Sequence, residues 1–205
     1  MNTQIIPLAI TMMAGPQIMT AIILVTHPTP VRVSVPFLVG VTVAAILGTT
    51  IYFLIAGTID LGDPSDNGST GHIIQYVLVG LLLFLAIRNY RHRETVEPPK
   101  WLGGLLKASP RKALTMGFLL IFLMPTDIAS MATVGVNLQH NGDSLIDAVP
   151  FLALTVLIGA LPLLAYVLLG KRAKETMPKV RDWMSATSWL VNIIVLGIFM
   201  ILILD

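Results

Sequence analysis

Six apolar stretches, each about 20 residues long, leave a chain of 205 residues room for little else. They run over 4–25, 35–59, 72–90, 113–137, 149–170 and 183–204. A helix needs about 20 apolar residues to cross roughly 30 Å of hydrocarbon, so the pattern predicts an all-α integral membrane protein with six transmembrane helices in one domain, 1–205. Charged residues make up 12% of the chain against about 25% in soluble domains. Lipid is therefore the solvent for most of the surface. The opening MNTQIIPLAI lacks the Lys or Arg of a secretory signal, and its apolar run is too long for one. It reads as a retained first span.

The basic residues fix the expected orientation. Of 13 Lys and Arg, Arg32 lies in loop one, seven lie in 88–112 and five in 171–181. Loops two and four hold none; they carry Asp60, Asp63, Asp66, Asp143 and Asp147 among turn-forming residues. The positive-inside rule places loops one, three and five in the cytoplasm of a multi-pass cell-membrane protein, with both termini outside. The net charge of +2 is thus a topology signal and gives no reason to expect nucleic acid.

The chain also repeats itself. Residues 35–38 and 149–152 both read Val-Pro-Phe-Leu, and Tyr52 and Tyr166 follow in the same register. At nearly the same offset, Gly15-Pro16 in the first span answers Met124-Pro125 in the fourth. A repeat of three spans crosses the membrane an odd number of times, so its second copy is inverted, as in many secondary transporters. The expected halves are 1–90 and 113–205, joined by a basic cytoplasmic linker, 91–112. Proline removes a backbone donor and clashes with the preceding turn, so Pro16 and Pro125 should break the first and fourth helices. Paired breaks of this kind point to a midplane binding site; ordinary proline kinks healed by neighbouring hydroxyls are the plainer reading.

Asp127 is the one charged side chain well inside a span. At a helix centre an acid costs about 2.5 to 3.5 kcal/mol to insert, so it should face the bundle interior or water. Thr126, Ser130, Thr133 and Asn137 recur at helical spacing beside it, and Thr11, Gln17 and Thr20 surround Pro16. The expected site is therefore Asp127, Thr126, Ser130, Thr133, Asn137, Gln17 and Thr20, framed by breaks at Gly15, Pro16 and Pro125. Two plainer roles compete: Asp127 as a cap of the restarting half-helix, and the polar groups as glue between helices.

Other signals are weaker. Met12, Met13, Met19, Met116, Met124 and Met131 cluster near the breaks, where core filling is the ordinary use of a flexible thioether. Gly40, Ala44 and Gly48 form a stripe for close packing against another span or a second copy of the chain, so a homo-oligomer is compatible with it. The run 88–93 and the basic residues around Pro110 suit anionic lipid headgroups as well as topology. No His or carboxylate set has metal-ligand spacing, no cysteine is present, and no hydrolase or nucleotide-binding motif occurs. The reading is of a non-enzyme without metal or cofactor.

Ala14-Gly15-Pro16, residues 37–40 (FLVG), 80–93 (GLLLFLAIRNYRHR), 98–105 (PPKWLGGL) and 109–118 (SPRKALTMGF) together resemble the GAP or Sap family. These are the peptidoglycolipid-addressing and sulfolipid-addressing proteins of the LysE transporter superfamily. Where that family has Asn-Pro-Lys-Asn, this chain has Met124-Pro125-Thr126-Asp127. The resemblance implies export of a small or amphiphilic substrate, or help with cell-envelope lipid transport. The missing cysteines exclude the superfamily's thiol-redox chemistry. Three functions are thus open: an exporter whose repeats rock about a midplane site, with Asp127 binding a proton or cation; an accessory protein of a lipid-export machine; and a channel. Topology is directly testable: a cysteine placed at Asn67 or Asn141 should react with an impermeant reagent in intact cells. Reaction only after permeabilisation reverses the orientation.

Overall fold

The computed structural model describes residues 5–58 and 100–170, together with Leu83, Ile87, Arg172, Thr176, Lys179, Val180 and Trp183. The expected third and sixth spans, loop two, the run 88–93 and most of loop five lie outside the described residues. Every regular element among the described residues is helical: α1 (Ile5–Met13), α2 (Pro16–Val25), α3 (Pro30–Thr58), α4 (Pro110–Leu123), α5 (Pro125–His140) and α6 (Val149–Leu169). Short 3-10 segments, Lys100–Lys107 and Leu145–Ala148, lead into α4 and α6.

Proline sets the element boundaries. It stands at the first helical position of α2, α4 and α5, where its missing N–H costs nothing. Ser109 caps α4 by accepting from the Lys112 N–H. α3 begins at Pro30, five residues before the apolar stretch predicts, and carries Pro36 inside it. Its 29 residues rise about 44 Å, more than the roughly 30 Å of hydrocarbon, and Arg32 in its first turn is exposed.

The first and fourth apolar stretches are each two helices. α1 and α2 meet at 60°, α4 and α5 at 68°. Two single helical stretches, 30–58 and 145–169, are long and apolar enough to cross a membrane, and each bent pair adds one more if it is a single span. Breaks at both expected prolines are thus present, and both are far sharper than an ordinary kink.

α3 covers the second break. It packs along α4 and then α5, while α6 packs along α1 and α2. On α3, Gly40 faces the α4 backbone so closely that a Cβ there would lie 2.2 Å from the Leu114 carbonyl oxygen. Reciprocally, a Cβ at Gly117 would lie 2.2 Å from the Phe37 oxygen. Gly48 makes room for the Met131 thioether and Gly135 for the backbone at Thr49 and Phe53. The small-residue stripe of α3 therefore meets another span of the same chain. Lipid offers no hydrophobic force between helices, so close backbone approach of this kind is a main source of association. Phe37, Ala44, Ala45 and Val41 are fully buried in this seam, and Phe151 of α6 is equally buried on the other side.

A side chain at Gly40 or Gly117 has to push two backbones apart. Gly40→Val should lower the thermal stability of the detergent-solubilised protein, overpacking of this kind costing about 1–3 kcal/mol. Gly104→Ala, whose Cβ would meet only the Lys112 ammonium at 3.9 Å, should be tolerated. Equal melting temperatures for the two variants would remove the close-packed seam from the account.

Candidate functional site

Each break is built differently. Before α2, Gly15 holds φ 141° and ψ −145°, a conformation open to glycine and strained for any side chain. Before α5, Met124 is extended, φ −74° and ψ 127°, as the residue preceding a proline prefers. Both helices then restart. The Met19 N–H donates to the Gly15 carbonyl at 3.3 Å, and the N–H groups of Asp127 and Ile128 donate to the Met124 carbonyl at 3.1 and 2.9 Å.

Two side chains carry the contact between the breaks. Gln17, in the first turn of α2, donates through Nε2 to Oδ2 of Asp127, in the first turn of α5. The Thr126 hydroxyl donates to the other carboxyl oxygen, Oδ1, at 3.3 Å. Asp127 is fully buried and Gln17 is 1% exposed. Removing an ionised carboxylate from water costs several kcal/mol, and hydrogen bonds to a charged group return about 1.5–3 kcal/mol each. Its place near the positive end of α5 adds a further favourable term. No side chain caps the N-terminus of α5 at Met124, so the Asp127 carboxyl is bound by Gln17 and Thr126 rather than used as the cap.

The amide of Gln17 is only half satisfied. Its Oε1 is buried and has no partner. That oxygen lies 3.1 Å from where a Cβ of Gly15 would be, so the missing side chain of Gly15 both permits the backbone turn and leaves space for the amide. Asp127 is the one fully buried ionisable side chain among the described residues.

The remaining expected residues divide into two groups. Thr20 and Ser130 are fully buried, but their hydroxyls donate to carbonyls of their own helices, Thr20 to Pro16 at 2.6 Å and Ser130 to Thr126 at 3.0 Å. Thr11 does the same to Pro7 at 2.7 Å. These bonds match the plainer reading, in which hydroxyls satisfy backbone near a proline. The polar stripe beside Asp127 also rolls outward along α5: Thr126 and Asn137 are half-buried and Thr133 is exposed. Thr133 donates to Ala129 at 2.8 Å and Asn137 to Thr133 at 3.2 Å, both within the helix. Met12, Met13 and Met131 are fully buried in the core, the ordinary use of the methionine cluster.

Two buried hydroxyls on α3 escaped the sequence reading. Ser34 and Thr49 are 3% and 1% exposed, and neither hydroxyl oxygen has a partner. They lie off the Gly40, Ala44 and Gly48 stripe, toward the other edge of the buried face of α3, and no periodic signal in the sequence marks them. His, Cys, Asp and Glu form no group of three that holds a metal among the described residues.

Apolar helices of spanning length, two sharply broken segments and a buried amide–carboxyl pair between them define a helical membrane protein. A family model described as "Sap, sulfolipid-1-addressing protein" matches residues 5–205, and the chain belongs to that family. No curated protein and no solved structure matches it.

Gly15 offers a direct test of the first break. Gly15→Ala places a side chain in strained backbone and against the Gln17 amide oxygen, and should destabilise the solubilised protein by about 1–3 kcal/mol. A melting temperature equal to that of the unmutated protein would show that the turn does not need glycine.

Proposed function

We propose that this chain is a secondary exporter of a small or amphiphilic substrate with an anionic head, working through a site between the two broken spans. The observation that carries the reading is the Gln17–Asp127 pair, which joins the restarting ends of both breaks in the protein interior. The N-terminal ends of α2 and α5 carry the positive dipole ends that suit an anionic headgroup. A family described by the addressing of a sulfolipid supports a lipid-like substrate, and the resemblance to LysE-type transporters supports movement across the bilayer.

The reading includes six spans arranged as two inverted repeats, 1–90 and 113–205. Cross-packing supports it: α3, the second span of one half, covers the break of the other, and α6 covers the first break in return. The register-matched tyrosines support it as well. Tyr52 borders Gly135, eight residues past Asp127, and Tyr166 packs on Val25, eight residues past Gln17. In this arrangement both termini are external, Asp127 binds a proton or cation, and the halves rock about the site.

The second reading is an accessory protein for cell-envelope lipid export. It draws on the closed state of the site, where Asp127 is fully buried and both its oxygens are hydrogen-bonded. One experiment separates the two. The protein reconstituted in vesicles should move a fluorescent anionic amphiphile down an imposed gradient, and Asp127→Asn should cut the rate roughly tenfold or more, about 1.4 kcal/mol in the barrier, while insertion and folding persist. No transport by the unmutated protein alone favours the accessory role. Unchanged transport by the variant removes Asp127 from the mechanism.

A further inference from the structure

Gln17 presents one hydrogen to Asp127 and leaves an equally buried oxygen with nothing to accept. A buried acceptor without a partner costs about 1–3 kcal/mol, and such groups call for an explanation. The two ends of a glutamine amide have nearly the same shape, one a donor and the other an acceptor. A half-turn of the amide therefore exchanges their places with little demand on the surrounding packing. Gly15, with no side chain beside Oε1, keeps that end of the amide clear of a Cβ.

We propose that Gln17 and Asp127 form a proton-operated latch between the two broken spans, in which the Gln17 amide serves both forms of the Asp127 carboxyl by turning over. The proposal rests on the reading of the two breaks as the moving parts of a transporter. With Asp127 ionised, Gln17 Nε2 donates to Oδ2, as the structure has it. When a proton from water adds to Oδ2, the amide turns and the new O–H donates to Oε1, while the Nε2 hydrogens move to the side of Gly15 that Oε1 occupied. Opening of the site to water on the other side separates the pair, and the proton leaves to water there. One proton is taken up and one released in each cycle.

The donor set as it stands in the structure suits a proton better than a metal cation, and a cation at the turned amide is the sodium arm of the experiment below. A cation needs several oxygens turned toward it, whereas the atoms that meet the carboxylate here, Gln17 Nε2 and the Thr126 hydroxyl, both present hydrogen. The Thr20 and Ser130 hydroxyl hydrogens are committed to their own helices. No second ionisable group shares the interior among the described residues. Arg32 on α3, Lys107, Arg111 and Lys112 before or on α4, and Asp143 and Asp147 before α6 are exposed. The half-buried Tyr52 of α3 and Tyr166 of α6 lie eight residues along α5 and α2 from the pair, about 12 Å of helix. His27 follows the far end of α2, and His140 closes the far end of α5.

Infrared difference spectroscopy of the full-length protein in lipid nanodiscs, between acidic and alkaline pH, reads both partners at once. The expected result is a protonated-carboxyl band that Asp127→Asn removes and Gln17→Leu shifts. In the unmutated protein with isotope-labelled glutamine, a side-chain amide band should move together with the carboxyl band. That label keeps the test decisive if either variant fails to fold. The latch is overturned by an amide band that stays fixed while the carboxyl titrates, by the absence of any carboxyl band assignable to Asp127, or by sodium ions producing the same change at constant pH. Vesicle transport is scored separately. Coupled infrared changes without any transport would retain the latch and remove the exporter reading, whereas transport indifferent to pH, with no carboxyl change, would do the reverse.

Discussion

A helix interrupted inside a bilayer leaves backbone groups that hydrocarbon cannot satisfy, and this protein has two sharp breaks within apolar stretches, at Gly15-Pro16 and Met124-Pro125. The rest of the described structure is arranged around covering them. α3 lies along both arms of the second bend and α6 along both arms of the first. Hydroxyls of Thr11, Thr20 and Ser130 occupy backbone carbonyls near the turns. Between the two breaks lies one buried carboxyl, and a glutamine from the opposite break meets it.

The breaks were legible because proline acts locally. Its lost donor and its ring clash do not depend on what packs nearby, and the bends of 60° and 68° fall at the residues that carry them. Among the described residues, the ends of the first, fourth and fifth apolar stretches were legible within a few residues, since apolar length is a property of the segment alone. The start of α3 was not: Pro30 can open a helix, and the polar, basic turn that follows it carries no apolar signal.

Partner choice was the illegible part. Gln17 and Asp127 were both marked as candidates, yet nothing in either segment says that they meet across 110 positions. The stripe of Thr126, Ser130, Thr133 and Asn137 was correctly periodic, but periodicity gives a face and not its direction. The buried face of α5 runs through Asp127, Met131, Val134 and Leu138, and that turns Thr133 outward. The stripe at Gly40, Ala44 and Gly48 shows the same limit in reverse, since small residues announce a close neighbour without naming it.

The two broken spans are held by different materials. α3 grips α4 at Gly117 and α5 at Gly135 through backbone atoms, one contact on each side of the bend. Straightening that bend would disrupt at least one of them. The corresponding glycine of α6, Gly159, meets the first broken span through the thioether end of Met13 alone. Thioethers change rotamer and refill space at small cost. At these glycines the first bend is braced by a side chain that can repack and the second by backbone that cannot.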